Sequence, residues 1–381
     1  MKRIKILITL IAVTLTGWLL VTILINSMFS PTDSSIPEII NDQNVPGLES
    51  KPAVFASNLS IPWGVGFLPN ENMLVSERTG SLKILRSDGE LLGTYSVPGV
   101  KRGPESGLLG LAVDPDFENN NYVYLYETYE SETGGTFNRI ARYVLNNGLT
   151  EKVILLEGIP GAKYHDGGRI AFGPDGALYV TTGDAVNPEI AQDLRSLGGK
   201  ILRMNSDGSV PESNPFEDSF VYSYGHRNPQ GLAWDNQGRL WSSEHGPSGL
   251  ESGHDEVNLI VPGGNYGWPH FAGETQRTSM ALNRENFIFP IYESGSEETW
   301  APAGLTIIED DIYWGGLRGQ ALYRGSVYGN DVDPLVRLYV EDFGRIRTTF
   351  QTPEMNLGFT TSNTDGRGSP RSDDDKIIIV E

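Results

Sequence analysis

Ile170-Ala171-Phe172-Gly173-Pro174-Asp175-Gly176-Ala177-Leu178-Tyr179-Val180-Thr181-Thr182-Gly183-Asp184 spells a β-hairpin. A short apolar run meets a Pro-Asp-Gly turn, and a run of alternating apolar and polar residues follows. Just before it, Tyr164-His165-Asp166-Gly167-Gly168-Arg169 sets one of only five histidines in a glycine-bracketed loop. The same grammar recurs along the chain. Trp63-Gly64-Val65-Gly66-Phe67 leads to Met73-Leu74-Val75-Ser76-Glu77, and Gly107-Leu108-Leu109-Gly110-Leu111 leads to Tyr122-Val123-Tyr124-Leu125-Tyr126. Asn228-Pro229-Gln230-Gly231-Leu232 leads to Leu240-Trp241-Ser242-Ser243-Glu244, and Ala301-Pro302-Ala303-Gly304-Leu305 leads to Ile312-Tyr313-Trp314. Arg347-Thr348-Thr349-Phe350 leading to Leu357-Gly358-Phe359-Thr360 is the weakest copy.

Six copies at intervals of roughly 45 to 70 residues match propeller blades with insertions. No amphipathic helical pattern separates the strands, which excludes an α/β sheet. The expected fold is all-β: a six-bladed β-propeller of four-stranded antiparallel blades spanning 51–381, with a pair of packed sheets as the structural alternative. Lys376-Ile377-Ile378-Ile379-Val380 is expected to close the ring against sheet from the N-terminal end. The loops that lead into the copies then share one face, where a site at the axis draws on several blades. Segments 128–138 and 270–299 read as insertions that wall a substrate pocket.

Composition narrows the function. The 45 glycines and 23 prolines punctuate turns between apolar runs. A formal charge of −20 argues against a nucleic-acid partner, because neutralising phosphates needs a basic face. The chain has no cysteine, so thiol catalysis, Cys-ligated zinc and disulfides are excluded, as is a covalent haem-attachment motif. The sequence carries no G-x-S-x-G elbow, phosphate-binding P-loop or dinucleotide fingerprint. At the N-terminus, Lys2, Arg3 and Lys5 precede an apolar run from Ile6 to Phe29, long enough as a helix to span a bilayer. It lacks a good cleavage site, so residues 1–30 are expected to be a membrane anchor in preference to a cleaved signal. Positive charge on the short side places the remainder outside the cytoplasm. Residues 31–50, rich in Ser, Pro, Asn and Asp, read as a flexible linker.

Four groups of residues carry chemistry. His165, in its glycine-bracketed loop, suits a general base working near neutral pH. Gly225-His226-Arg227-Asn228-Pro229-Gln230-Gly231 puts a guanidinium beside an amide, which suits a planar ligand bearing carboxylates or carbonyls. Glu244-His245-Gly246-Pro247, Asp255-Glu256-Val257-Asn258 and Gly263-Gly264-Asn265-Tyr266-Gly267-Trp268-Pro269 are oxygen-rich and thiol-free, which suits Ca²⁺ over zinc. Arg345 and Arg347 lie two apart on a strand and point the same way, and Arg318 adds a further cation. Such a cluster reads either as a seat for an anionic ligand or as part of a salt-bridge network.

Together these strings resemble the pyrroloquinoline quinone (PQQ)-dependent soluble glucose and aldose sugar dehydrogenases, over about residues 55–381. The compact loops look more like the aldose sugar dehydrogenase branch. The resemblance implies that His165 is the base taking the proton of the sugar's anomeric hydroxyl as hydride passes to PQQ. It implies that Arg227 and Asn228 hold PQQ and polarise its quinone oxygens, and that Arg318, Arg345 and Arg347 meet its carboxylates. It implies that the carbonyls of Gly246 and Pro247 bind the Ca²⁺ that also binds PQQ. Glu256 with the carbonyl of Tyr266 resembles a second, structural Ca²⁺ site. Glu105 falls near the cofactor where the family carries a glutamine, and a carboxylate there requires protonation or a cationic partner. Electrons must leave to an external acceptor. Two other readings stay open on the residues alone: a Ca²⁺-dependent propeller lactonase or esterase, and a non-catalytic tethered binding propeller.

Overall fold

The computed structural model describes residues 37, 39–41, 51–248, 252–328 and 334–380. Six sheets follow one another in chain order. Blade one is Pro62–Phe67, Met73–Glu77, Ser81–Leu85 and Leu91–Ser96, and blade two is Leu108–Val113, Tyr122–Glu130, Thr136–Leu145 and Leu149–Pro160. Blade three comprises Ile170–Phe172, Leu178–Thr182, Lys200–Met204 and Val221–Tyr224; blade four comprises Pro229–Trp234, Leu240–Glu244, Glu256–Ile260 and Tyr292–Glu293. Blade five is Pro302–Ile308, Asp311–Gly316, Leu322–Ser326 and Leu335–Leu338. Blade six joins Ile346–Gln351, Leu357–Thr361 and Ile377–Val380 to the N-terminal strand Pro52–Ala56, whose residue Ala53 lies opposite Ile379. The ring therefore closes by the pairing expected of the C-terminal strand.

Ile39–Asn41, inside the stretch read as a linker, adds a fifth strand to blade five, parallel to Leu335–Leu338. The expected membrane anchor lies outside the described residues. Among the described residues, no helix is long and apolar enough to cross a membrane. Segment 128–138 is not an insertion between blades: it is the hairpin joining the second and third strands of blade two, with Glu130 opposite Thr136. Long, well-paired strands carry that hairpin outward.

The hairpin of blade three is built as its sequence dictates. Phe172 pairs with Leu178 and Ile170 with Val180. At the turn, Gly173 N donates to the carbonyl of Ala177, and Gly176 takes φ +76°, open to glycine without strain. Each blade buries its two faces against its neighbours, and hydrophobic clusters fill all six junctions. Near the axis the first strands approach too closely for side chains. A Cβ on Gly110 would stand 2.3 Å from the Gly168 carbonyl oxygen, and one on Gly304 would stand 2.8 Å from Thr348 Cα. That crowding is why glycine recurs in or just before the leading run of the first five copies. Buried Arg169 ties the axis together: its guanidinium donates to the carbonyls of Gln230 and Trp63 and to Thr348 Oγ1, and lies 4.3 Å from the Trp63 ring centroid.

All first strands run the same way, so their leading loops open on one face with the loops that follow the second strands. Five of the six blades supply cavity residues from these two loop positions.

Candidate active site

A cavity of about 520 Å³ opens on that face. Its wall includes Glu105, His165, Arg227, Gly246, Pro247, Arg318 and Arg345, seven residues singled out from the sequence. Thr299 is the one wall residue from segment 270–299, so most of that segment lies away from the cavity.

His165 is fixed from three sides. Its backbone adopts φ +63°, a conformation that costs a β-carbon-bearing residue roughly 1–3 kcal/mol. Its amide donates to Glu105 Oε2 at 2.9 Å, and its carbonyl accepts from Ala185 N at 3.2 Å. Its ring Nδ1 meets Asp184 Oδ1 at 2.7 Å. Asp184 is buried and also accepts from Val186 N at Oδ1 and from Trp268 Nε1 at Oδ2. A carboxylate that only accepts places the imidazole proton on Nδ1, which leaves Nε2 with the basic lone pair.

The next residue, Asp166, anchors the same loop. It accepts from Asn138 Nδ2 at 3.0 Å, Ala162 N at 3.1 Å and Ser106 Oγ at 2.9 Å. Burial nevertheless pushes its pKa up to about 6. An acid raised in the folded state holds its proton more tightly there than in the unfolded chain. Its contribution to stability is thus fully present below the unfolded value of about 4 and is lost as pH rises through 6. Asp166→Asn removes this dependence. The unfolding free energy of the native protein relative to this variant should fall by up to about 3 kcal/mol between pH 4 and pH 7 in urea titrations. A difference independent of pH would contradict the assignment.

Arg227 is buried, donates to the His245 carbonyl at 3.2 Å and lies 5.4 Å from the Trp268 ring centroid. Burial lowers its pKa, while Asp184, Asp255, Glu105 and Glu244 oppose that. Asn228 is not part of the cavity wall. Its Oδ1 accepts from Gly167 N at 3.0 Å, bracing the His165 loop, and its Nδ2 lies 3.5 Å from His245 Nδ1. Asp255 underlies Gly246: it accepts from Gly246 N, Trp300 N and Ala301 N, and burial pushes it up to about 6.

The arginines separate into two kinds. Arg318 is exposed at the cavity, and no side-chain partner holds it among the described residues. Arg345 and Arg347 do lie together, but both bond Asp365 Oδ2, at 2.8 Å and 3.4 Å. Arg345 still reaches the wall, whereas Arg347 is buried behind it on Ser362 Oγ and Gln230 Oε1. The salt-bridge network weighed from the sequence therefore exists beside the cationic wall. Asp365 and Arg367 carry no motif, and neither was singled out from the sequence. Arg367 lines the cavity and pairs with Glu105 Oε1 at 2.9 Å.

Glu256 and Tyr266 lie away from this cavity, in a buried cluster. Glu256 faces Glu244 across the sheet, Glu244 bonds His226, and His226 stacks on Tyr266 at 4.6 Å. Burial pushes both Glu244 and Glu256 up; the charge of Glu244 raises Glu256 further, while a hydrogen bond with Glu256 opposes the rise at Glu244. Asn258 Nδ2 donates to Glu256 Oε2, and Asn258 Oδ1 has no partner among the described residues.

Fold and site together define a six-bladed propeller enzyme with a basic axial cavity and, in its wall, an imidazole backed by a buried carboxylate. The sequence profile of the Glucose / Sorbosone dehydrogenase family matches residues 59–371, and the chain belongs to that family, an oxidoreductase acting on sugars. Quinoprotein glucose dehydrogenase B of Acinetobacter calcoaceticus is 37% identical over 58% of this chain, and the match spans only about half (52%) of that protein. Aldose sugar dehydrogenase YliI of Escherichia coli is 29% identical over 84% of this chain and 92% of its own length. The PQQ-bound aldose sugar dehydrogenase of Streptomyces coelicolor superposes with a TM-score of 0.79 at 38% identity, covering 88% of this chain and 99% of that one.

Proposed function

We propose that this chain oxidises aldose sugars at the anomeric carbon to the lactone, using PQQ and Ca²⁺ and passing electrons to an external acceptor. The observation that carries this reading is His165, backed by buried Asp184, in one cavity wall with Arg227, Arg318, Arg345 and Arg367. Four guanidiniums against Glu105 and Asp255 suit a flat polycarboxylate, and the cavity volume suits a molecule of that size. That cationic excess is what a lactonase would not require. The bound-state structure of the Streptomyces relative supports the choice of PQQ.

Arg227 would hold the cofactor's quinone end, and Arg318 and Arg345 its carboxylates, with Asn228 and Arg347 bracing from behind. Among the described residues, no group of three or more acidic or imidazole side chains is gathered for a metal. A Ca²⁺ here would rest on the carbonyls of Gly246 and Pro247 and on oxygens of the cofactor, a hard donor set that fits the ion. When bound, PQQ supplies the two-electron acceptor for the hydride of the anomeric carbon. His165 Nε2 takes the hydroxyl proton, and Asp184 stabilises the imidazolium that forms. In the buried cluster, Glu244, Glu256 and the open Asn258 Oδ1 offer oxygen donors that support a second, structural Ca²⁺ with the Tyr266 carbonyl. The apolar N-terminal run supports an anchored enzyme whose propeller faces outside the cytoplasm.

The test is dye reduction by the full chain with a panel of aldoses. Activity should require both PQQ and Ca²⁺ and disappear on chelation. Hydrolysis of lactones without PQQ would favour the rival reading.

A further inference from the structure

Glu105 puts a carboxylate in the wall of a cavity that, on the reading above, receives an anion. Its two oxygens are both committed: Oε2 to His165 N at 2.9 Å, and Oε1 to Arg367 Nη1 at 2.9 Å. The two residues come from loops 262 positions apart, on blades two and six, so their contact ties together two blades that are not neighbours. Arg367 is placed on purpose-built footing. Its amide donates to Asp365 Oδ1, while Oδ2 of the same carboxylate holds Arg345. The Arg367 guanidinium also lies 5.1 Å from the ring centroid of Tyr164, the residue before His165.

We propose that Arg367 is a positioning residue that neutralises Glu105, so that this carboxylate can hold His165 in place without repelling the bound cofactor. The electrostatics agree with the geometry. Burial pushes the Glu105 pKa up, but the field of His245, the bond from His165 N and Arg367 together bring it below the ordinary value. Arg78, Arg227 and Arg347 also feel the field of Glu105, but among the described residues Arg367 is the cation that bonds it directly.

The inference rests on PQQ being the cofactor, and a charge-swap series separates the two claims. The full chain with Ca²⁺ is titrated with PQQ at equilibrium, as the native protein, Arg367→Ala, Arg367→Lys, Glu105→Gln, and the Arg367→Ala/Glu105→Gln pair. Arg367→Ala should weaken binding roughly tenfold or more, because it leaves a bare carboxylate facing an anion. Arg367→Lys keeps the positive charge and should bind several-fold more tightly than Arg367→Ala. Removing the charge from both partners should return binding to within about threefold, a rescue that general damage to the fold would not give. Native affinity in Arg367→Ala, or no rescue in the pair, overturns the inference while leaving the cofactor reading intact. If the native protein binds no PQQ, the cofactor reading falls and this inference falls with it.

Discussion

His165→Ala should lower kcat by roughly 10²–10⁴-fold while leaving PQQ affinity within a few-fold of native. The imidazole is a wall group held at fixed orientation with its Nε2 turned away from its carboxylate partner, because Asp184 occupies Nδ1 and the backbone is pinned by Glu105 and Ala185. Its loss removes the acceptor for the hydroxyl proton. It does not remove the guanidiniums, so binding and turnover should separate. Stopped-flow reduction of preformed holoenzyme by an aldose checks this. A variant that is reduced at the native rate would mean that the proton leaves by another route, and it would displace His165 from its role.

Asp184→Asn should cost roughly 10²–10⁴-fold in kcat, for a different reason. The native carboxylate accepts three N–H groups, from His165, Val186 and Trp268. An amide has one oxygen and one donor nitrogen. If its nitrogen faces His165, the imidazole must turn Nδ1 into the acceptor, and the proton moves to Nε2, where the lone pair is needed. If its nitrogen faces Trp268, two donors collide in a buried site. Either arrangement disables the base or strains the loop that carries it. The expected signature is a collapse of kcat with a smaller change in KM. Equal loss in Asp184→Asn and Asp184→Ala would support the tautomer argument. Near-native turnover in Asp184→Asn would refute it.

The fold was legible because each blade repeats one local rule, and local rules survive in sequence. Glycine before an apolar run marks the crowded axis in five blades, and turns drawn from Pro, Asp, Asn and Gly, as in Pro174-Asp175-Gly176, separate the first two strands. The apolar strand Ile377–Val380, expected to pair with sheet from the N-terminal end, does so with Pro52–Ala56. Segment 128–138 misled because its charged and glycine-rich tip looks like a loop between elements, although long strands flank it on both sides. At the site, His165 and Arg227 stood out because glycine and amide neighbours mark them locally. The partners of the charges did not. Arg345 and Arg347 read as a cationic pair aimed at a ligand, but Asp365 holds both, and only Arg345 reaches the cavity. Glu105 meets Arg367 across 262 positions. The first pairing forms where the loop after the second strand of blade six returns beside its first strand, and the second is set by the angular packing of blades two and six; neither follows from local spacing. The oxygen-rich loops of blade four show the same limit: Gly246 and Pro247 reach the cavity, whereas Glu256 folds back into the blade.

The most direct test is a titration of the full chain with PQQ in the presence of Ca²⁺, followed by anaerobic addition of one equivalent of an aldose. We expect saturable binding of one PQQ per chain and stoichiometric bleaching of the oxidised cofactor's absorbance by sugar. The absence of saturable binding, or a bound cofactor that no aldose reduces, would contradict the account.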